Sequence, residues 1–311
     1  MAEGFVARKT RGIDSSLAAH RSRWSAISAR VIIAVVESGK QSHGIRGTGS
    51  RGIRKLKKSI GLQPARHLDI DGAYNVRDLG GYPTLDGRRT RWKTFIRAAS
   101  LHRLLPDSRD ALIDYGIRTV IDLRRTHEVE EAPNVFADSS RVTYYHQNMI
   151  GDEPLLGTAD SVETGEAAER ILAMYGSWLD LCQPEIRRTL ATLAEPGARP
   201  AMYHCAVGKD RTGVISALLL GIAGVPADVI AEDYALSARY LLDRYFAEQA
   251  SPELTPDNYT EEDYQRDFCP PDAMLKVLDY VNERYGGIEA YARTTGLRPG
   301  QIESIRTALV D

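Results

Sequence analysis

Cysteine is scarce in this chain: three in 311 residues, at Cys182, Cys205 and Cys269. An odd number at those spacings builds neither a disulfide framework nor the paired dipeptides of a zinc site, which makes a reducing compartment and a cytoplasmic location the expectation. The seven histidines are scattered and form no His-x-x-x-His or Glu-x-x-His pair, so no metal is expected. Long apolar runs are missing from the first 60 residues. The single one there, "VIIAVV" at Val31–Val36, falls well short of the roughly 20 residues that span a bilayer, and no transmembrane segment is expected. Acidic residues are rare there too: residues 1–60 hold 13 Lys and Arg against three Asp and Glu, whereas the remaining 251 hold 27 against 39. A Ser-, Arg- and Gly-rich, acid-poor head of this kind ("RKTRGIDSS", "GIRGTGSRGIRKLKK") has too little to bury, and it reads as a basic, disordered, solvated extension. An organellar transit segment and a basic arm touching an acidic membrane surface are the weaker alternatives, and no nucleic-acid partner is expected. The globular domain is therefore placed at residues 61–311.

The chain does have enough apolar material for a sizeable core, 43% of its residues. Its pattern turns regular from about His67. "KTFIRAAS" (Lys93–Ser100), "RTVIDLR" (Arg118–Arg124), "RVTYYHQ" (Arg141–Gln147) and "PAMYHC" (Pro200–Cys205) are short, β-branched or aromatic runs bounded by turn residues, and they predict strands. Between them "SRDALIDYG" reads as a helix, and residues 163–182 place Ala168, Ile171, Leu172, Tyr175, Trp178 and Cys182 on one helical stripe. A segment begun by Pro184 follows, through Leu193. After Cys205 only helices are expected, including Asp272–Tyr285, where Met274, Val277, Leu278, Val281 and Tyr285 recur at helical spacing. Strands alternating with helices predict an α/β fold with a mainly parallel sheet.

The stretch "HCAVGKDRTG", His204–Gly213, lies between a predicted strand and the apolar helix "TGVISALLLGIAG". A strand, a tight loop and a helix N-terminus bring several backbone N–H groups and the positive end of a helix dipole to one point, which suits an anion. Arg211 adds a planar fork for two phosphate oxygens, and Gly208 lets the backbone turn with no side chain in the way. Cysteines at helix N-termini beside cations have their thiol pKa, about 8.5 when free, lowered to roughly 3.5 to 7.5. As a thiolate, Cys205 would attack phosphorus in line and form a thiophosphate intermediate that water hydrolyses. Arg211 and the amides of Ala206, Val207, Gly208, Lys209 and Asp210 would hold the charge on the equatorial oxygens. The Thr212 hydroxyl is expected to stabilise the leaving thiolate. Cys182, on its apolar stripe, and Cys269, before two prolines, read as packing residues.

In this setting the loop resembles that of the cysteine-dependent protein tyrosine phosphatases. The Lys-Asp pair before the arginine is similar to the bacterial group typified by the mycobacterial protein tyrosine phosphatase B. "YNVRDLGGY" (Tyr74–Tyr82), "IRAASL" (Ile96–Leu101), "IDLRRTHEV" (Ile121–Val129), "AEDYALS" (Ala231–Ser237) and the tail from Tyr285 to Leu309 resemble that group in the same order, over about residues 68–310. The resemblance implies a central, mainly parallel sheet of about four or five strands, helices on both faces and a helical lid, with dephosphorylation that needs no cofactor. By position it implies Cys205 as nucleophile, Arg211 as phosphate clamp and His204 buried behind the loop. Glu128 either holds the loop from below or sits exposed at the start of a helix. No Trp-Pro-Asp signature is present, so the expected proton donor is Asp210 inside the loop, with Asp152 after the "RVTYYHQ" strand as the alternative. Lys209 adds a second cation that suits a phosphoinositide besides a phosphorylated protein carrying phosphotyrosine, phosphoserine or phosphothreonine; a solvated lysine tuning the loop's potential is the alternative. Two other classes of function stay open. A silent phosphate-binding module would lack Cys205 or Arg211, and an arsenate-type thiol reductase would need Cys182 or Cys269 beside Cys205.

Overall fold

The computed structural model describes residues 66–153, 166–248 and 253–310, so the extension expected over residues 1–60 lies outside the described residues. Five strands form: β1 (Arg77–Asp78), β2 (Phe95–Ala98), β3 (Thr119–Asp122), β4 (Thr143–His146) and β5 (Ala201–His204). The last four are the runs read from the sequence; β1, at two residues, is too short to carry a period-2 signal. The strands lie in the order β1-β2-β5-β3-β4, with β1 antiparallel to β2 and every other neighbour parallel. β5 is thus flanked by β2 and β3, and its last residue, His204, is level with Ala98 and Asp122. In open parallel sheets ligands bind beyond the carboxyl ends of the strands, and the loop from Cys205 starts there.

Alternation along the strands splits the core between the two faces. Phe95, Ile121, Ala201 and Tyr203 belong to one apolar cluster, while Ile96, Ala98, Val120 and Met202 belong to another. The second is the smaller, and α1 (Pro106–Tyr115) closes it with Leu112 and Ile113. After β3 comes α2 (Thr126–Glu131). The larger cluster is built by α3 (Ala167–Leu181), α4 (Gln183–Ala194), α5 (Asp210–Ile222), α6 (Ala227–Ala235), α7 (Ser237–Glu248), α8 (Glu261–Phe268), α9 (Pro271–Tyr285), α10 (Ile288–Thr294) and α11 (Pro299–Leu309). In α3 the predicted stripe buries Ala168, Ile171, Tyr175 and Trp178, with Leu172 half-buried. In α5 every residue from Thr212 to Leu220 is buried, as expected of a helix apolar on all sides.

The pair α7 and α8 reaches the loop after β5, through Arg244 to the Ala206 carbonyl and through the Phe268 carbonyl to Lys209. Tyr245 on α7 packs against Tyr264 and Phe268 of α8 and against Tyr259 just before it, with ring centroids 5.3 to 5.5 Å apart. Such aromatic pairs add about 0.5 to 1.5 kcal/mol each beyond their burial, enough to fix two short helices on each other. Among the described residues no helix is long and apolar enough to cross a membrane.

Candidate active site

The loop after β5 turns its carbonyls outward. Cys205 O accepts from His204 Nδ1 at 3.2 Å, and Ala206 O accepts from the Ser100 N–H at 3.1 Å and from Arg244 Nη1 at 3.0 Å. Val207 O faces Asn75 Nδ2 at 3.4 Å, and Gly208 O accepts from Asn75 Nδ2 at 3.0 Å and Arg97 Nη2 at 2.8 Å. The N–H groups of Ala206, Val207, Gly208 and Lys209, by contrast, donate to no acceptor among the described residues. A loop whose oxygens are all engaged behind it presents its amides in front, which is the arrangement an anion needs. Gly208 makes the turn possible at φ +67°, and a Cβ there would come within 2.4 Å of the Ala98 carbonyl oxygen. Glycine is required twice over, by conformation and by space. Cys205, 1% exposed, lies at the floor of this loop.

Arg211 stands on the first turn of α5, and α2 fixes it. Its Nη1 and Nη2 donate to Glu128 Oε2 and Oε1 at 2.5 and 2.9 Å, a bidentate pair. Glu128 is buried rather than exposed, which decides between its two expected settings. Burial opposes ionisation of Glu128, but Arg211 outweighs it and holds the carboxyl below its ordinary range. Burial likewise opposes the charge on Arg211, and Glu128, with Cys205 and Asp210, more than restores it. Glu128 Oε2 also accepts from the Arg125 N–H at 2.8 Å, tying the carboxylate into its own helix start.

Asp152 serves that same helix. Its carboxylate accepts from the Thr126 N–H at 2.9 Å, Thr126 Oγ1 at 2.6 Å and Asn148 Nδ2 at 2.8 Å. These bonds, those from Thr126 first, lower its pKa from the ordinary value and place it as an anchor for the N-terminus of α2. His204 is fully buried behind the loop, as expected, and burial pushes its pKa down. Asn134 Nδ2 lies 2.7 Å from His204 Nε2, so the neutral ring keeps its hydrogen on Nδ1 and gives it to Cys205 O.

Asp210 accepts from Tyr175 Oη at 2.8 Å, with Lys209 Nζ 3.5 Å from the same Oδ1. Lys209 is not a free surface cation: Nζ donates to Phe268 O, the last residue of α8, at 3.0 Å. Thr212 Oγ1 is buried and has no hydrogen-bond partner among the described residues, Cys205 Sγ included. All three cysteines are free thiols, and burial pushes Cys182 and Cys269 up to about 11.

A family model described as "Tyrosine phosphatase family" matches residues 68–311. The chain belongs to the tyrosine phosphatase family. A tyrosine-protein phosphatase of Nostoc commune is 32% identical over 228 residues, covering 69% of this chain and 74% of that protein. The triple specificity protein phosphatase PtpB of Mycobacterium tuberculosis is 25% identical over 282 residues, 78% of this chain and 98% of its own. A protein of Cupriavidus necator described as a tyrosine-protein phosphatase by assignment is 25% identical over 177 residues, 56% of this chain and 63% of that one.

Behind the loop of this tyrosine phosphatase lies a buried polar network that reasoning from the sequence missed. Asp233 on α6 accepts from Arg97 Nη1 at 2.6 Å and Tyr82 Oη at 2.6 Å, and its own carbonyl takes Arg77 Nη2 at 2.8 Å. Arg77 reaches on to Asn75 Oδ1, and Asn75 and Arg97 hold the Gly208 carbonyl. "YNVRDLGGY", "IRAASL" and "AEDYALS", matched as motifs without a role, therefore meet at one place. The signal available was the presence of Arg and Asp inside otherwise apolar, turn-bounded runs.

The depressed Glu128 carboxyl carries a pH signature. Because its folded pKa lies below the ordinary 4.5, the Arg211 pair contributes stability that is fully present above 4.5 and is lost as pH falls through the folded value. Glu128→Gln is expected to remove that part of the acid limb. Urea unfolding of both proteins from pH 7 down to pH 3 checks it: the gap between them should narrow as pH falls below 4.5, and a gap that stays constant would mean Glu128 is not ionised in the fold.

Proposed function

We propose that this phosphatase hydrolyses phosphotyrosine in proteins through a cysteinyl-phosphate intermediate. The observation that carries this reading is the loop from Cys205 to Lys209, with its carbonyls bonded behind it and its amides free over a cysteine, beside an arginine locked by Glu128. The Cys205 sulfur attacks phosphorus and the ester P–O bond breaks, its electron pair leaving on the substrate oxygen. Asp210 protonates that oxygen and Asp152 stays with α2. Water then attacks the thiophosphate, gives a proton to the Asp210 carboxylate, and releases phosphate and the Cys205 thiolate. Arg211 and the loop amides hold the three equatorial oxygens throughout. An arsenate-type reductase finds little support, since Cys182 and Cys269 are buried thiols of raised pKa. A silent binding module would have no use for a thiol on the cradle floor.

Cys205→Ser should abolish turnover of 4-nitrophenyl phosphate while vanadate still binds, because serine keeps the cradle and loses the thiolate. Retained turnover in that variant, measured beside the parent protein, would sink the mechanism.

Substrates beyond phosphotyrosine, namely phosphoserine, phosphothreonine and phosphoinositides, belong to the same proposal. Support comes from the PtpB relative, described as of triple specificity, and from a second cation next to Arg211. A neighbouring phosphate would have to draw Lys209 Nζ away from the Phe268 carbonyl. Lys209→Ala should then cost more activity on a phosphoinositide than on a phosphotyrosine peptide. Equal losses would confine Lys209 to shaping the loop.

The reading also places catalysis in residues 61–311 and the enzyme in the cytoplasm. Removal of residues 1–60 should leave kcat/KM on a small aryl phosphate unchanged. A large fall in activity or in the thermal midpoint of the shortened protein would put the boundary elsewhere.

A further inference from the structure

Both donors near Asp210 choose the same oxygen. Tyr175 Oη lies 2.8 Å from Oδ1 and Lys209 Nζ 3.5 Å from it, whereas Oδ2 has no donor among the described residues. Tyr175 comes from α3, 35 residues earlier in the chain. Its ring is fully buried, stacked on Trp178 with centroids 5.1 Å apart and edge-on to Tyr234 at 6.2 Å. The Tyr234 hydroxyl stands 3.1 Å from the Tyr175 hydroxyl. Burial drives both phenols above their ordinary pKa, so both keep their hydrogens. A phenol has one hydrogen to give, and a carboxylate can only accept. Tyr175 therefore donates to Asp210, Tyr234 donates to Tyr175, and the chain of hydrogen bonds runs in one direction.

We infer that Tyr175 is a positioning residue for the proton donor: it occupies Oδ1 and thereby reserves Oδ2 for the proton that passes to the leaving oxygen. This rests on the acid role proposed for Asp210. A carboxyl group left to itself can rotate and carry its proton on either oxygen. With a phenol hydrogen and an ammonium directed at Oδ1, a proton there would face other donors, so the acid form carries it on Oδ2. After transfer the same two groups stabilise the carboxylate that remains. The bland reading, in which Tyr175 only packs α3 against α6, accounts for the ring and leaves its hydroxyl unexplained.

Tyr175→Phe keeps the ring and removes the hydroxyl. The measurement is kcat/KM, which covers bond cleavage, on phenyl phosphate and on 4-nitrophenyl phosphate; only the first, with its poor leaving group, depends strongly on protonation. Removing an acid costs about a hundredfold or more, so Tyr175→Phe, which only misplaces one, is expected to cost about tenfold on phenyl phosphate and about threefold or less on 4-nitrophenyl phosphate. In an Asp210→Asn background, where no proton is carried, Tyr175→Phe should leave the ratio of the two substrates unchanged. Equal losses on both substrates, or the same change in ratio in both backgrounds, would reduce Tyr175 to packing and overturn the inference. Should Tyr175→Phe fail to fold, Tyr175→Met, which also fills the space without a hydroxyl, makes the same comparison, and an unchanged ratio there overturns it as well. The two layers separate cleanly. If Asp210→Asn itself leaves the ratio unchanged, the acid assignment falls; if it shifts the ratio and Tyr175→Phe does not, only the positioning role falls.

Discussion

Turning four successive carbonyls away from one point requires a partner for each, and in this protein none of those partners except His204 belongs to the loop's own strand or helix. Asn75 precedes β1, Arg97 lies on β2, Ser100 follows it, and Arg244 is on α7. A buried carbonyl left without a partner costs about 1 to 3 kcal/mol. A peptide flipped to find another would aim its oxygen at the bound phosphate, replacing attraction with repulsion. The cradle is therefore a property of the sheet and of α7 as much as of the loop itself. Gly208 is the point where this dependence is tightest, because its backbone lies against the Ala98 peptide and its carbonyl takes both Asn75 and Arg97.

Charge in the layer beneath is deliberately uneven. Arg77 and Arg97 are fully buried against a single carboxylate, Asp233. Burial and then the neighbouring Arg97 push the Arg77 pKa down, whereas Asp233, against the cost of burial, holds the Arg97 pKa up. Replacing such a buried group by packed apolar residues is often neutral or favourable for stability, so stability alone does not account for it. Arg97 is one hydrogen bond from the Gly208 carbonyl, and its charge polarises the peptide whose amide faces the anion. The positive charge of Arg97 thus stands behind a peptide dipole that the fold already holds in place.

Much of this was legible in the sequence, and the part that was not has a common cause. Period-2 and period-3.6 patterns report which residues face a core, and they identified four of the five strands and the α3 and α9 stripes. The order Cys, Gly, Lys, Asp, Arg between strand and helix singled out the loop, because its signal is local. Patterns say nothing of distance between remote segments. Glu128 could not be told from an exposed glutamate until α2 was set against α5. Asp152 was read by its position after β4, and the fold joins its carboxylate to Thr126, a partner 26 residues away that no local pattern reports. Tyr175 was visible as a buried ring on a helical stripe, but periodicity does not say where a hydroxyl points.

Asp152 and Arg211 are joined by a continuous chain of contacts. Asp152 holds the first turn of α2, α2 carries Glu128, and Glu128 grips Arg211 end-on through both terminal nitrogens. A guanidinium gripped in that way keeps its Nε–H and the adjacent Nη2 hydrogen on one free edge, and that edge is the fork that matches two phosphate oxygens. Lysine could not replace it, since a single ammonium cannot satisfy a bidentate carboxylate and a bidentate phosphate at fixed angles. The ion pair therefore does more than neutralise a buried charge. It occupies the end of the guanidinium and leaves the Nε edge as the one open to a bidentate anion.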